Sequence, residues 1–266
     1  MINASTDDTG RVDEAFVRFR WPLAALLVMA GLGLANAPLQ PNVWWVSALA
    51  ILLFSTPVIV GAIQWLGPRG GIGLLVALGI YALVVESIAV ATGLPYGRFS
   101  YSEVLGPPLF GLAPPTVLLA WTPLILGALA LTRRAWVAVA LLVVVDMVLD
   151  PAAVHLGFWS WDEPGIYYGV PLVNFFGWVL SGGIAVLALR RLPRPVPGLF
   201  AQNLWLVLVF WSSVNAWSGQ WLPAAIGLVT LVVLAPRYGR GHERGDRHRG
   251  RHRRSGERGP VGQAGL

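Results

Sequence analysis

Residues Asp146–Trp178 read DMVLDPAAVHLGFWSWDEPGIYYGVPLVNFFGW. Two acids, Asp146 and Asp150, close an otherwise apolar run. A loop crowded with Trp, Tyr, Gly and Pro follows, and a second apolar run opens with Asn174 and Trp178. Asp146 and Asp150 stand one helical turn apart and share a helix face. Pro151 has no N–H to donate, which frees backbone carbonyls close to Asp150. Ionisable groups inside a membrane segment are expensive and mark function. Desolvation disfavours the charged form of a carboxyl group, and a carboxyl group kept neutral can donate a proton. The stretch therefore predicts a lipid-embedded helical hairpin that does acid chemistry at one end.

Composition puts the rest of the chain in the same class. Of 266 residues, 56% are hydrophobic and 12% are charged, against about 25% charged in a soluble domain. There is no Cys, so thiol nucleophiles, thiolate metal sites and disulfides are excluded. Eight apolar segments run Trp21–Ala37, Val43–Leu66, Ile72–Thr92, Pro114–Leu131, Ala135–His155, Leu172–Leu189, Leu199–Trp217 and Leu222–Pro236. A spanning helix needs about 17 to 25 residues, which makes the first and last the shortest candidates. The last two could alternatively form a re-entrant pair. The predicted fold is an all-α polytopic membrane bundle of about eight transmembrane helices over 19–236. A polar cytoplasmic lead over 1–18 precedes it, with no signal-peptide pattern. An Arg-rich tail over 237–266 follows and is expected to be disordered.

The loops set orientation. Arg11, Arg18, Arg20, Arg69, Arg133, Arg134, Arg190, Arg191 and Arg194 all fall on one side when eight spans are counted, as does the tail with nine of the nineteen basic residues. The opposite side holds only Arg98, with Glu103, Asp162 and Glu163. The positive-inside rule then predicts a cell-membrane protein with both termini cytoplasmic. The tail is read as a solvated arm that touches anionic lipid headgroups, not nucleic acid. In this topology Glu86, Trp121, Asp146, Asp150, Asn174 and Trp178 gather in the outer half of the bilayer, beneath the loops 93–113 and 156–171.

The third and fourth segments repeat as the fifth and sixth. Glu86 precedes Gly93 by seven residues, as Asp150 precedes Gly157. Phe99-Ser100-Tyr101 answers Trp159-Ser160-Trp161. Gly111 and Pro114, then Trp121, answer Gly169 and Pro171, then Trp178. Two copies in one orientation predict a parallel repeat whose interface holds the site.

Other readings of these residues are weaker. Asp-x-x-x-Asp spacing can hold magnesium and diphosphate, but the other half offers only Glu86, and Arg98 is the sole cation on that side. His155 reads as an interfacial polar residue, and no metal site is expected. Gly67, Gly70, Gly71 and Gly73 follow no strand and precede no Lys, so they form no phosphate loop. The aromatic residues, among them Tyr96, Tyr101, Trp161 and Tyr168, suit either an interfacial belt or a box for a polyene and a carbocation.

ESIAVATGLPYGRFSYSEVLGPPLFGLAPPTVLLAW (Glu86–Trp121) and the Asp146–Trp178 stretch resemble the carotenoid 1,2-hydratase family, with a fainter similarity to small membrane lycopene cyclases. The resemblance implies addition of water to the terminal double bond of an acyclic carotenoid end, without a redox or metal cofactor. On that reading Asp150 is the acid, and Glu86 or Asp146 places or deprotonates the water. Asn174 holds that water, and Trp121, Trp161 and Trp178 flank the cation. Tyr96, Tyr101 and Tyr168 contribute to the substrate site. The alternatives are a cyclase, which excludes water, and a non-catalytic carotenoid-binding membrane protein.

Overall fold

The computed structural model describes residues 5–37, 40–193 and 195–235, with side chains from residue 19 onward. The tail expected over 237–266 lies outside the described residues. Seven α-helices form among them: α1 (Ser5–Asn36), α2 (Trp44–Thr92), α3 (Val117–Leu131), α4 (Ala135–His155), α5 (Leu172–Leu189), α6 (Gly198–Trp217) and α7 (Trp221–Ala235). Five of them are long and apolar enough to cross a membrane, and α3 and α7 are shorter apolar helices. The stretch read as a polar lead is helical from Ser5 and continuous with the first apolar segment.

Seven helices stand where the sequence predicts eight, and the difference lies at Gly67. There the backbone takes φ 74, ψ 166, a conformation that favours glycine. Pro68 follows and fits the first position of a new helical turn. Beyond the break the chain folds back on itself. A Cβ placed on Gly71 would lie 2.5 Å from the Ile63 Cα and 2.7 Å from the Ala62 carbonyl oxygen. Residues eight apart in a straight helix are separated by about 12 Å. The α2 helix is therefore two arms that cross at a corner, and a small residue at the crossing allows the contact.

The α6 helix is the most enclosed of the spanning helices, although it ties with the first apolar segment for lowest hydropathy among them. It packs against α1, α2, α3 and α4. Its polar residues explain the contrast. Asn203 donates to the Phe54 carbonyl at 2.9 Å, Asn215 to the Val148 carbonyl at 2.7 Å, and Ser213 to the Leu27 carbonyl at 3.4 Å. Polar side chains lower the apparent hydropathy of this helix and at the same time bind it to three neighbours. Close packing of α3 on α6 also relies on Gly127, where a Cβ would lie 2.6 Å from the Leu204 Cβ.

The bundle is not purely helical. Strands β1 (Phe99–Tyr101) and β2 (Trp159–Trp161) pair antiparallel, with Phe99 opposite Trp161, Ser100 opposite Ser160 and Tyr101 opposite Trp159. The ladder continues through Ser102 N–H to Phe158 O at 2.9 Å and Asp162 N–H to Arg98 O at 3.0 Å. It ties the α2–α3 loop to the α4–α5 loop and so brings two helical hairpins together.

Candidate active site

The C-terminal ends of α2 and α4 and the N-terminal ends of α3 and α5 meet beneath the β1–β2 pair, around a cavity of about 150 Å³. Its wall is mostly aromatic and aliphatic. Two carboxyl groups reach it, Glu86 from the second arm of α2 and Asp150 from α4. Both are buried, with 6% and 4% of their surface exposed.

The two acids have different partners. Glu86 accepts a hydrogen bond from the Trp121 indole N–H at 3.1 Å and another from the Tyr101 hydroxyl. Asp150 accepts from the Asn174 amide at 2.6 Å. The same amide nitrogen donates to Asp146 at 2.8 Å. One NH2 group has two protons, so both are committed, and the two carboxyl oxygens are drawn together by one nitrogen. Asn174 thus clamps the aspartates. Its expected task of holding a water falls to its carbonyl oxygen alone.

Asp146 differs from Asp150 although they share a helix. It is 1% exposed and is not part of the cavity wall, and its Oδ1 has no hydrogen-bond donor among the described residues. No ion pair involves Glu86, Asp146 or Asp150 among the described residues.

The proline in α4 has the local consequence its sequence predicts. Pro151 cannot donate to the carbonyl of Met147, four residues earlier. The Tyr167 hydroxyl, brought in by the α4–α5 loop, donates to that carbonyl at 3.0 Å. Burial pushes the Tyr167 phenol up to about 12, with Tyr168 and then Asp146 adding to the effect, so it remains a donor at neutral pH. The α3 helix repeats the device. Pro123 leaves the Leu119 carbonyl without its helical partner, and the Ser55 hydroxyl donates to it at 3.1 Å.

The aromatic wall is itself hydrogen-bonded. Trp121 and Trp178 stack with centroids 4.7 Å apart and planes 25° apart. The Trp161 indole N–H donates to the Tyr96 carbonyl at 2.9 Å, and the Tyr96 hydroxyl to Ser181 at 2.7 Å. Tyr96, Tyr101, Trp121, Trp161 and Trp178 all face the cavity. Tyr168 does not. It is 37% exposed, its backbone is at φ 52, and its hydroxyl accepts weakly from Leu222 N–H at 3.4 Å. Its ring instead meets that of Tyr167 edge to face, with centroids 5.4 Å apart.

Sequence reading missed the far wall. Phe54 and Ser55 come from the first arm of α2, and Val207 and Trp211 from α6. Nothing in the sequence selected Ser55.

The fold and the cavity together define a membrane helix bundle with an acid-bearing aromatic chamber between two loop-tied hairpins. The profile of the carotenoid biosynthesis protein family matches residues 46–234, and the chain belongs to that family. It is 33% identical over 256 residues to bisanhydrobacterioruberin hydratase of Haloarcula japonica, with 85% of each chain covered. No solved structure matches it.

Proposed function

We propose that this protein hydrates the terminal 1,2 double bond of an acyclic carotenoid end group. The observation that carries the reading is that Glu86 and Asp150 line one aromatic cavity from opposite hairpins. Asp150 transfers its proton to the less substituted alkene carbon, and the π pair forms the new C–H bond. The positive charge falls on the carbon bearing two methyl groups, a tertiary cation. The stacked faces of Trp121 and Trp178, with Trp161 beside them, stabilise it through their π systems. Water forms the C–O bond and releases a proton to Glu86, whose carboxyl group is held by the Trp121 and Tyr101 donors. The product is a tertiary alcohol, and the proton count closes when Asp150 is recharged. Such acid–base assistance supplies about 10²–10⁴ in rate.

The relative's identity as a hydratase supports hydration over cyclisation. Polar groups at the cavity end support it too, because a cyclase must keep water from the same cation. In this reading both arms of α2 cross the bilayer, giving eight passes with both termini cytoplasmic. The two hairpins form a parallel repeat. The strand register supports that repeat, because Ser100 meets its counterpart Ser160, and Trp121 stacks on its counterpart Trp178.

The test is expression of the full chain in a lycopene-producing host and mass analysis of the pigment. Gain of one water per modified end is the expected result. An isomer of unchanged mass identifies a cyclase, and unchanged lycopene identifies a binding protein.

A further inference from the structure

The proposed reaction leaves one buried acid without a task. Asp146 cannot touch a substrate in the cavity, because it is not on the wall. It is nevertheless held to Asp150 by a shared amide, and the two carboxyl groups are within hydrogen-bonding reach of each other. Two bare carboxylates are both acceptors, so a contact between them requires a proton. Two like charges without a cation nearby would be costly in an apolar interior. Asn174 adds only two neutral donors, and the Asp146 Oδ1 stays without one.

We propose that Asp146 is the proton reservoir of Asp150: a positioning residue that never meets the carotenoid and returns the proton that each hydration removes from Asp150. The proposal rests on the hydratase reading and deepens it. It resolves the choice between Glu86 and Asp146 as partner of the water in favour of Glu86, which faces the cavity where Asp146 does not. Asn174 makes the transfer possible by holding one oxygen from each carboxyl group on a single nitrogen. Each transfer breaks an O–H bond on Asp146 and forms one on Asp150. Asp146 is then recharged by a proton released at Glu86 or taken from the loop side, where Tyr167 caps the neighbouring carbonyl.

The test compares Asp146→Asn, Asp146→Glu and Asp150→Asn in the full-length membrane protein, with hydrated lycopene as product and retained pigment as a measure of an intact cavity. Asp146→Asn is expected to retain pigment and to lower turnover by about 10- to 100-fold, the lower part of the range for acid–base groups. Its rate should lose one of the acid-side steps in the pH profile, since a coupled pair titrates in two. The groups that face Asp146 are Asp150 on its own helix, Asn174 on α5, Glu86 across the cavity and the loop residues Tyr96 and Tyr167. Of these, only Asp150 and Glu86 are carboxylic acids. Asp146→Glu should recover part of the turnover. Wild-type turnover and pH profile in Asp146→Asn would overturn the proposal. So would joint loss of pigment and product that Asp146→Glu does not repair, which marks a structural role. Product formation by Asp150→Asn would instead overturn the hydratase mechanism itself, so the two failures are distinguishable.

Discussion

Trp121 donates its indole N–H to Glu86 at 3.1 Å while the face of the same ring lies 4.7 Å from that of Trp178. One side chain thus fixes the carboxyl group of the first hairpin and joins the aromatic pair that links it to the second. In the proposed reaction the edge serves the acid and the face serves the cation, which makes the two tasks separable by substitution.

Trp121→Phe removes the N–H and keeps an aromatic face. A buried carboxyl group that loses one donor is destabilised by about 1–3 kcal/mol. If that loss is felt at the water-activating step, turnover falls by about 5- to 150-fold with pigment still bound. The ratio of hydrated to unmodified lycopene over time measures it.

Asn174→Ala leaves Asp146 and Asp150 without their common donor. The expected result is loss of hydration and a melting transition lowered by a destabilisation of about 2–4 kcal/mol, since two buried acceptors are orphaned. Thermal unfolding of the detergent-solubilised protein reads the second effect. An unchanged melting temperature would contradict the clamp.

Two glycines on α5 give a paired test of packing. A Cβ at Gly177 would press on the Tyr96 ring, with the Cε1 atom at 2.7 Å, and lie 2.9 Å from the Pro95 carbonyl oxygen, whereas nothing lies within 4 Å of one at Gly183. Gly177→Ala is expected to destabilise by about 1–3 kcal/mol through overpacking and to displace Tyr96 from the cavity wall. Gly183→Ala should be neutral or stabilising by about 0.5–1 kcal/mol. Melting temperatures of the two variants, measured side by side, decide it.

Tyr167→Phe and Tyr168→Phe separate adjacent residues. The first strips the donor from the Met147 carbonyl and should destabilise by about 1 kcal/mol, with a fall in turnover because that carbonyl lies between the two aspartates. The second removes only a long contact outside the cavity and should leave turnover within about twofold, in line with surface substitutions. Equal effects from both would place Tyr168 at the site after all.

Much of the architecture was legible because apolar length and proline chemistry are local properties. The apolar runs became helices, the gap between the second and third runs fell at the corner of α2, and Pro151 freed a carbonyl close to Asp150. The two aromatic-Ser-aromatic triplets were visible as a repeated pattern, and they pair with each other in the β1–β2 ladder. The helix count was less legible, because a corner built on glycine lies inside α2 and joins two arms that the sequence reads as separate apolar runs. The importance of α6 was hidden because its Asn and Ser residues lower hydropathy, whereas in the bundle they are its ties to neighbouring backbones.

The amino-acid sequence by itself determined a membrane helix bundle with acids near the ends of two apolar runs, since hydropathy and i,i+4 spacing depend only on the chain's own covalent order. The tertiary structure alone decided which acid meets the cavity. Asp146 and Asp150 share a helix face but stand about 6 Å apart along the axis. That separation is enough for the chamber to reach one of them while Asn174, from another helix, holds both.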